Sequence, residues 1–118
     1  VEVGDYAILG GFTLVHQFCR VGQHSLMGIG TVCLQDVAPY LIVAGNPAKT
    51  YGVNVRGLRR RGFTEDAITE LRRVYRQQFR AKKVDSEHEE SEACGSAGRP
   101  EVDTLIRFLS RSERGVIR

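Results

Sequence analysis

The chain has 118 residues, 42% of them hydrophobic and 26% charged, with a net charge of +3. That is the make-up of one small globular unit, and it excludes a wholly disordered chain or two independent domains of ordinary size. No apolar stretch approaches the roughly 18 residues of a membrane span. The three cysteines, Cys19, Cys33 and Cys94, contain no CxxC pair, which argues against a disulfide framework or zinc ribbon and for reduced thiols in a cytoplasmic setting.

Val1 to Gly11 lacks the basic start and small-residue cleavage site of a secretory leader. A repeat is already running there. From Val3 the chain divides into sixes: VGDYAI, LGGFTL, VHQFCR, VGQHSL, MGIGTV, CLQDVA. The first column (Val3, Leu9, Val15, Val21, Met27, Cys33) is apolar and the second (Gly4, Gly10, His16, Gly22, Gly28, Leu34) mostly glycine. The fifth column (Ala7, Thr13, Cys19, Ser25, Thr31, Val37) is small throughout. A period of six fits neither an amphipathic helix nor an alternating strand. It fits a parallel β-helix of triangular cross-section, each hexad giving one flat side and one corner. The first column should point inward and stack, the fourth should face outward, and the second-column glycines should adopt backbone angles that other residues avoid. Three hexads close a coil, so Val3 to Ala38 predicts two coils. Repeat arrays need about three units or more, so further coils are expected before Val1.

Two prolines and the Gly45-Asn46-Pro47 turn predict that the ladder stops over Pro39 to Lys49. Thr64 is the expected N-cap of a helix with Glu65 and Asp66 in its first turn. Ile68, Leu71, Val74, Tyr75 and Phe79 form its apolar stripe, and Arg72, Arg73, Arg76 and Arg80 cover its other faces. Val84 to Gly98 is acidic and reads as a loop or a weak helix. Pro100 opens a last helix with Val102, Leu105, Ile106 and Leu109 on one face. The predicted organisation is therefore residues 1–50, the coils and cap, and residues 51–118, a helical tail over the solenoid end.

Charge is uneven along the chain. Residues 56–83 hold ten basic and three acidic groups, a net of +7, while residues 84–98 hold five acidic groups and no basic one. The densest basic run is Asn54 to Phe63, with Arg56, Arg59, Arg60 and Arg61. Such a run is either a solvated face or an anion site, where arginine forks grip phosphate and flanking glycines let the backbone approach. A diphosphate or an acidic protein suits it better than nucleic acid, because aromatic interleaving and any nucleic-acid motif are missing. His16, followed by Gln17, interrupts the glycine column; it either packs locally or contacts a ligand along the solenoid side. His24, in the outward-facing fourth column, reads as having no ligand role, and His88, in the acidic stretch, reads as solvated. His16 and His24 have no third partner at metal-binding spacing, so no metal site is expected.

The motifs Gly10 to Cys19 (GGFTLVHQFC), Gln35 to Tyr40 (QDVAPY), Gly45 to Ala48 (GNPA), Gly57 to Phe63 (GLRRRGF) and Arg111 to Arg118 (RSERGVIR) together resemble the C-terminal part of the UDP-N-acetylglucosamine acyltransferase family. The resemblance spans the chain and is weakest over 84–98. It implies a mixed β/α fold, a left-handed parallel β-helix followed by a small α-helical C-terminal domain, assembled as a homotrimer. It implies transfer of an R-3-hydroxyacyl chain from acyl carrier protein to the glucosamine 3-hydroxyl of UDP-N-acetylglucosamine, the first step of lipid A biosynthesis, without cofactor, metal, nucleic acid or membrane span. The family's catalytic histidine lies in coils upstream of Val1, so no catalytic residue is expected here. By resemblance His16 and Gln17 line the nucleotide-sugar side of the cleft, and Asn54, Arg60 and Arg61 hold the uridine diphosphate portion. Arg56 stands where some members carry an acid. Ile29 falls at the acyl-chain ruler, where a bulky residue selects a shorter chain. The basic face of Arg72, Arg73, Arg76 and Arg80 is the expected contact for acidic acyl carrier protein. Two other readings stay open: a different hexapeptide-repeat transferase, and a non-catalytic trimerisation or scaffold module.

Overall fold

The computed structural model describes residues 1–80 and 99–118; the acidic stretch Val84 to Gly98, with His88 and Cys94, lies outside the described residues. Each hexad forms one two-residue strand: β1 (Glu2–Val3), β2 (Ile8–Leu9), β3 (Leu14–Val15), β4 (Arg20–Val21), β5 (Leu26–Met27) and β6 (Val32–Cys33). Each of the first three strands pairs in parallel with the third one on, so that Val3 faces Val21, Leu9 faces Met27 and Val15 faces Cys33. These three ladders are the sides of a triangular prism, here called A, B and C. The first column does point inward. Val21, Met27 and Cys33 are buried together, and Val3 and Leu9, with a rung on one side only, stay exposed.

The glycine expectation needs correction. The left-handed backbone falls in the fourth column, at Tyr6, Phe12, Phe18, His24 and Gly30, with φ between 57° and 74°. That conformation turns each corner, and two of the three corners repeat one inter-coil hydrogen bond, His24 N–H to Asp5 O at 2.9 Å and Gly30 N–H to Gly11 O at 2.8 Å. The second-column glycines have no positive φ. Gly4, Gly10 and Gly22 are small because a neighbouring coil leaves no room, whereas a Cβ at Gly28 would make ordinary contact with Ala44 at 3.4 Å. A Cβ at Gly4 would come within 2.6 Å of Gln23 N, and one at Gly10 within 2.7 Å of Met27 O.

The ladder also runs further than expected. The sixth hexad is clipped to four residues, Cys33 to Asp36, and Val37 takes the inward place opposite Val21. A third coil follows. Tyr40 turns its first corner with φ 70°, and β7 (Leu41–Gly45) pairs in parallel with β5, Val43 facing Met27. The chain then reverses through the cis Asn46-Pro47 bond into β8 (Ala48–Val53), antiparallel to β7. Pro39 therefore lies within the third coil, whereas Pro47 sits in the hairpin at which the parallel ladder does end, as the Gly45-Asn46-Pro47 turn predicts. Residues 50 and 51 both lie within β8.

Asn54 opens a short helix that periodicity did not reveal, α1 (Val55–Arg60). The helix α2 (Glu65–Tyr75) starts as expected: the Thr64 hydroxyl accepts from Ala67 N–H, with Glu65 and Asp66 in the first turn. It continues as a π-helical turn over Arg76–Arg80. The last helix, α3 (Pro100–Arg111), has proline at its first turn. Ile68, Leu71 and Val74 of α2 and Val102 and Leu105 of α3 pack on Tyr40, Leu41 and Val53 at the end of the solenoid, so a single apolar core joins coils and helices. After α3 the chain returns to the prism. Val116 bridges Asp36, and Ile117 joins Val37, Val43 and Cys33 inside it. Among the described residues no helix is long and apolar enough to cross a membrane.

Candidate functional site

The three sides meet at three corners, and the expected nucleotide-sugar, diphosphate and acyl-chain residues are divided among them. Corner AB carries Tyr6, His24 and Tyr40 and receives the α1 region. Corner BC carries Phe12 and Ile29, both exposed. Corner CA carries His16, Gln17 and Phe18 and receives the tail after α3.

On corner AB, both ends of α1 are tied to the same rungs. The Asn54 amide donates from Nδ2 to His24 O at 3.1 Å, its Oδ1 accepts from Gly57 N–H at 3.3 Å, and its own N–H reaches Tyr40 O at 2.8 Å. Asn54 is buried, so its side chain holds α1 in place. Gly57 is required there, because a Cβ would run into that amide. At the far end Arg59 forms a two-point pair with Glu65 at 2.8 and 3.0 Å. Arg60 and Arg61 are left exposed, and among the described residues neither is in an ion pair. The Arg61 guanidinium lies over the Tyr6 ring at 4.3 Å.

His24 is not solvated, contrary to the outward fourth-column expectation. It is 9% exposed, stacked between Tyr6 at 5.0 Å and Tyr40 at 5.8 Å, with Phe63 edge-on at 4.9 Å. The hairpin-to-helix segment folds over this corner and covers a position that an isolated repeat would expose. Burial, and next the Arg61 charge, push its pKa below the ordinary 6.5, against a weaker pull from Asp5. The folded chain thus resists protonation that the unfolded chain accepts. Stability is complete above about pH 6.5 and is lost as pH falls below it toward the lower folded value. His24→Phe keeps the stack, and phenylalanine already occupies the same left-handed place at Phe12 and Phe18. Its thermal midpoint should fall less between pH 7 and pH 5 than that of the wild type; parallel curves would remove His24 as the source.

On corner CA, His16 Nδ1 lies 3.0 Å from Gln17 O and 3.4 Å from Arg114 Nη2. The shorter contact favours a proton on Nδ1, leaving the Nε2 lone pair as an exposed acceptor. Gln35 Nε2 donates to Arg114 O at 3.2 Å and fixes the tail beside this histidine. Behind the corner, Asp36 accepts from Arg20 N–H at 2.8 Å and Ser112 Oγ at 2.7 Å. The two described cysteines are buried, Cys33 inside the prism. Burial raises the Cys33 pKa to about 11 and also raises that of Cys19, so neither offers a thiolate at neutral pH.

On α2, Arg72 and Arg76 are exposed, while Arg73 is paired with Glu70 at 3.0 Å. Arg80 closes the π-helical turn. No single corner of one chain collects His16, Ile29 and the Arg60–Arg61 pair. Sequence reasoning missed Tyr6, Tyr40, Phe63 and Arg114. A recurring aromatic in the fourth column was the available signal for Tyr6; Tyr40 is hidden by the clipped sixth hexad, and the others depend on tertiary docking.

Residues 36–117 match the family model described as UDP-N-acetylglucosamine O-acyltransferase, domain 2. The acyl-[acyl-carrier-protein]–UDP-N-acetylglucosamine O-acyltransferase of Thiobacillus denitrificans is 46% identical over 117 residues, covering 99% of this chain and 45% of that protein. The Burkholderia lata relative is 45% identical, over 100% of this chain and 47% of its own length. Among solved structures, the UDP-N-acetylglucosamine acyltransferase of Bacteroides fragilis superposes with a TM-score of 0.91 at 32% identity, covering 98% of this chain and 46% of that one. That of Acinetobacter baumannii gives 0.86 at 37%, covering 98% and 45%. The chain thus spans about half the length of the relatives it matches. Its fold is the left-handed parallel β-helix followed by helices.

Proposed function

This chain belongs to the UDP-N-acetylglucosamine O-acyltransferase family, and on that premise we propose that it is the C-terminal portion of an enzyme of lipid A biosynthesis. The enzyme moves an R-3-hydroxyacyl group from acyl carrier protein to the glucosamine 3-hydroxyl of UDP-N-acetylglucosamine in the cytoplasm. The sugar hydroxyl attacks the thioester directly, with a general base supplied by coils upstream of the residues present here. The part played by this chain is to bind and orient. Arg60 and Arg61 grip the diphosphate, Asn54 holds the helix that presents them, and His16 and Gln17 meet the nucleotide sugar.

The observation that carries this reading is the pair of exposed, unbridged guanidiniums at the end of α1, inside the segment matched by the family model. Two like charges held together by a buried cap call for an anion. The wide separation of the site residues supports a homotrimer. Side B presents an outward apolar file of Ile8, Leu26 and Ile42, and side C presents Leu14 and Val32, with Phe12 90% exposed at the corner between them. Closed rotational assembly buries such faces and sets one corner against a different corner of the next copy.

Titration of the chain with the acylated UDP-glucosamine product, alongside sedimentation, tests the reading. A trimer that binds supports it. A folded trimer that does not bind leaves a scaffold module. With the upstream coils restored, Ile29→Gly should shift donor preference to longer chains, because a side chain 82% exposed on this chain would otherwise fill the pocket between copies. Unchanged selectivity would overturn the ruler role. Arg72 and Arg76 are the exposed pair for acidic acyl carrier protein; a carrier KM insensitive to ionic strength would remove that contact.

A further inference from the structure

Corner AB holds a stack that the binding scheme above does not use. Tyr6, His24 and Tyr40 occupy equivalent corner positions on three successive coils, each with left-handed backbone at φ 59°, 57° and 70°. Their rings lie nearly parallel, 26° between the first two and 17° between the second two. Phe63 inserts edge-on against His24 and Tyr40, two residues after Arg61. Asn54 binds the backbone of His24 and Tyr40. The basic end of α1 is thus fixed to one column at both its start and its finish, and Arg61 lies over the Tyr6 ring of that column.

An arginine at a helix end has several rotamers of similar energy, and ordering it for a two-point phosphate contact has an entropic cost. An aromatic face beneath the guanidinium favours one orientation before the ligand arrives and leaves the edge N–H groups free. We infer that Tyr6, backed by His24, is a positioning residue that pre-orients Arg61 for the diphosphate. The inference rests on the anion-site reading proposed above and assigns it a supporting element outside α1. The groups facing His24 are Tyr6 and Asp5 on the first coil, Tyr40 on the third, and Phe63 and Arg61 from the α1 end. A positive charge on His24 would weaken the stack and repel Arg61, so the pre-orientation should fade in acid.

The test is calorimetric titration of the chain with UDP-N-acetylglucosamine for the wild type, Tyr6→Phe, Tyr6→Leu, Arg61→Ala and the Tyr6→Leu, Arg61→Ala double variant. Tyr6→Phe keeps the face and should bind within about twofold of the wild type; Tyr6→Leu should bind about five- to tenfold more weakly. In the Arg61→Ala background Tyr6→Leu should change nothing further. Separately, the Arg61 Cδ protons should show an upfield ring-current shift in the wild type and Tyr6→Phe that disappears in Tyr6→Leu. A merely structural role would leave Tyr6→Leu equally harmful without Arg61, and that result overturns the inference. So would equal binding by Tyr6→Leu and the wild type. A wild type that binds no UDP sugar removes the anion site itself, and the positioning role with it.

Discussion

Arg60→Ala combined with Arg61→Ala is expected to weaken binding of the UDP sugar by about 10²- to 10⁴-fold. Each charge-assisted contact to phosphate contributes about 1.5–3 kcal/mol, and every 1.4 kcal/mol or so is a factor of ten. The fold should hardly notice. Both side chains are exposed, and what the change removes within the chain is the stacking of Arg61 on Tyr6, about 0.5–1 kcal/mol at an exposed site. Calorimetry and a melting curve on the same sample separate the two effects. Intact affinity in a stably folded double variant would move the anion site elsewhere. Arg59 is the internal comparison, because it is already bridged to Glu65 on the surface; its removal should cost binding far less.

The second large effect concerns the solenoid. Gly22→Ala should destabilise the chain by about 3 kcal/mol, the upper part of the range for forcing atoms into a packed site. For a domain of this size that lowers the thermal midpoint by more than about 10 °C. A Cβ at Gly22 would overlap Pro39 at its backbone nitrogen and come within 2.6 Å of its Cα and 2.7 Å of its Cδ. None of those atoms can swing away. They belong to a rigid ring, and the chain is held on either side by Gly22 N–H to Val37 O at 2.8 Å and Tyr40 N–H to Gln23 O at 2.9 Å. Gly11→Ala is the control: a Cβ there meets nothing within 4 Å, and its φ is not positive. That change should be neutral or raise stability by about 0.4–1 kcal/mol, by restricting the unfolded chain. Equal melting of the two variants would mean that the coils can separate to admit a methyl group.

The period of six was legible because stacking selects three columns repeatedly, and a signal written many times survives local exceptions. The Thr64 cap, the proline at the start of α3 and the stripes Ile68–Leu71–Val74 and Val102–Leu105 were legible for the same reason, since each rule is local. The third coil was hidden by the clipped sixth hexad. Its shortening by two residues shifts Val37 from the small column into the inward one and breaks the arithmetic. Of the two prolines read as a stop, Pro39 fits a corner of the third coil, and Pro47 marks the hairpin where the parallel ladder ends. Helix α1 has one fully buried residue, Leu58, so no apolar period announces it; its cap, Asn54, draws meaning from a bond to His24, 30 residues away. The arginine cluster was visible as composition. Its corner, and its distance from His16 and Ile29, depend on how the tail docks, and only tertiary structure contains that.

Residues 116 and 117 close the prism. Ile117 takes the inward position beside Cys33 and Val43, its carbonyl accepting from the hydroxyl of Thr50, which lies 67 residues earlier. Each preceding coil can form as soon as its neighbour exists, but this end of the stack must wait for partners far apart in the sequence, the slowest kind of contact to make. During synthesis the ribosome therefore still holds the plug while the coils are already made. The edge at Asp36 stays open to pairing with other strands until Val116 reaches it, whereas β8 already covers that of β7. Docking of Val116 and Ile117 is thus the step that turns an adhesive edge into a sealed one.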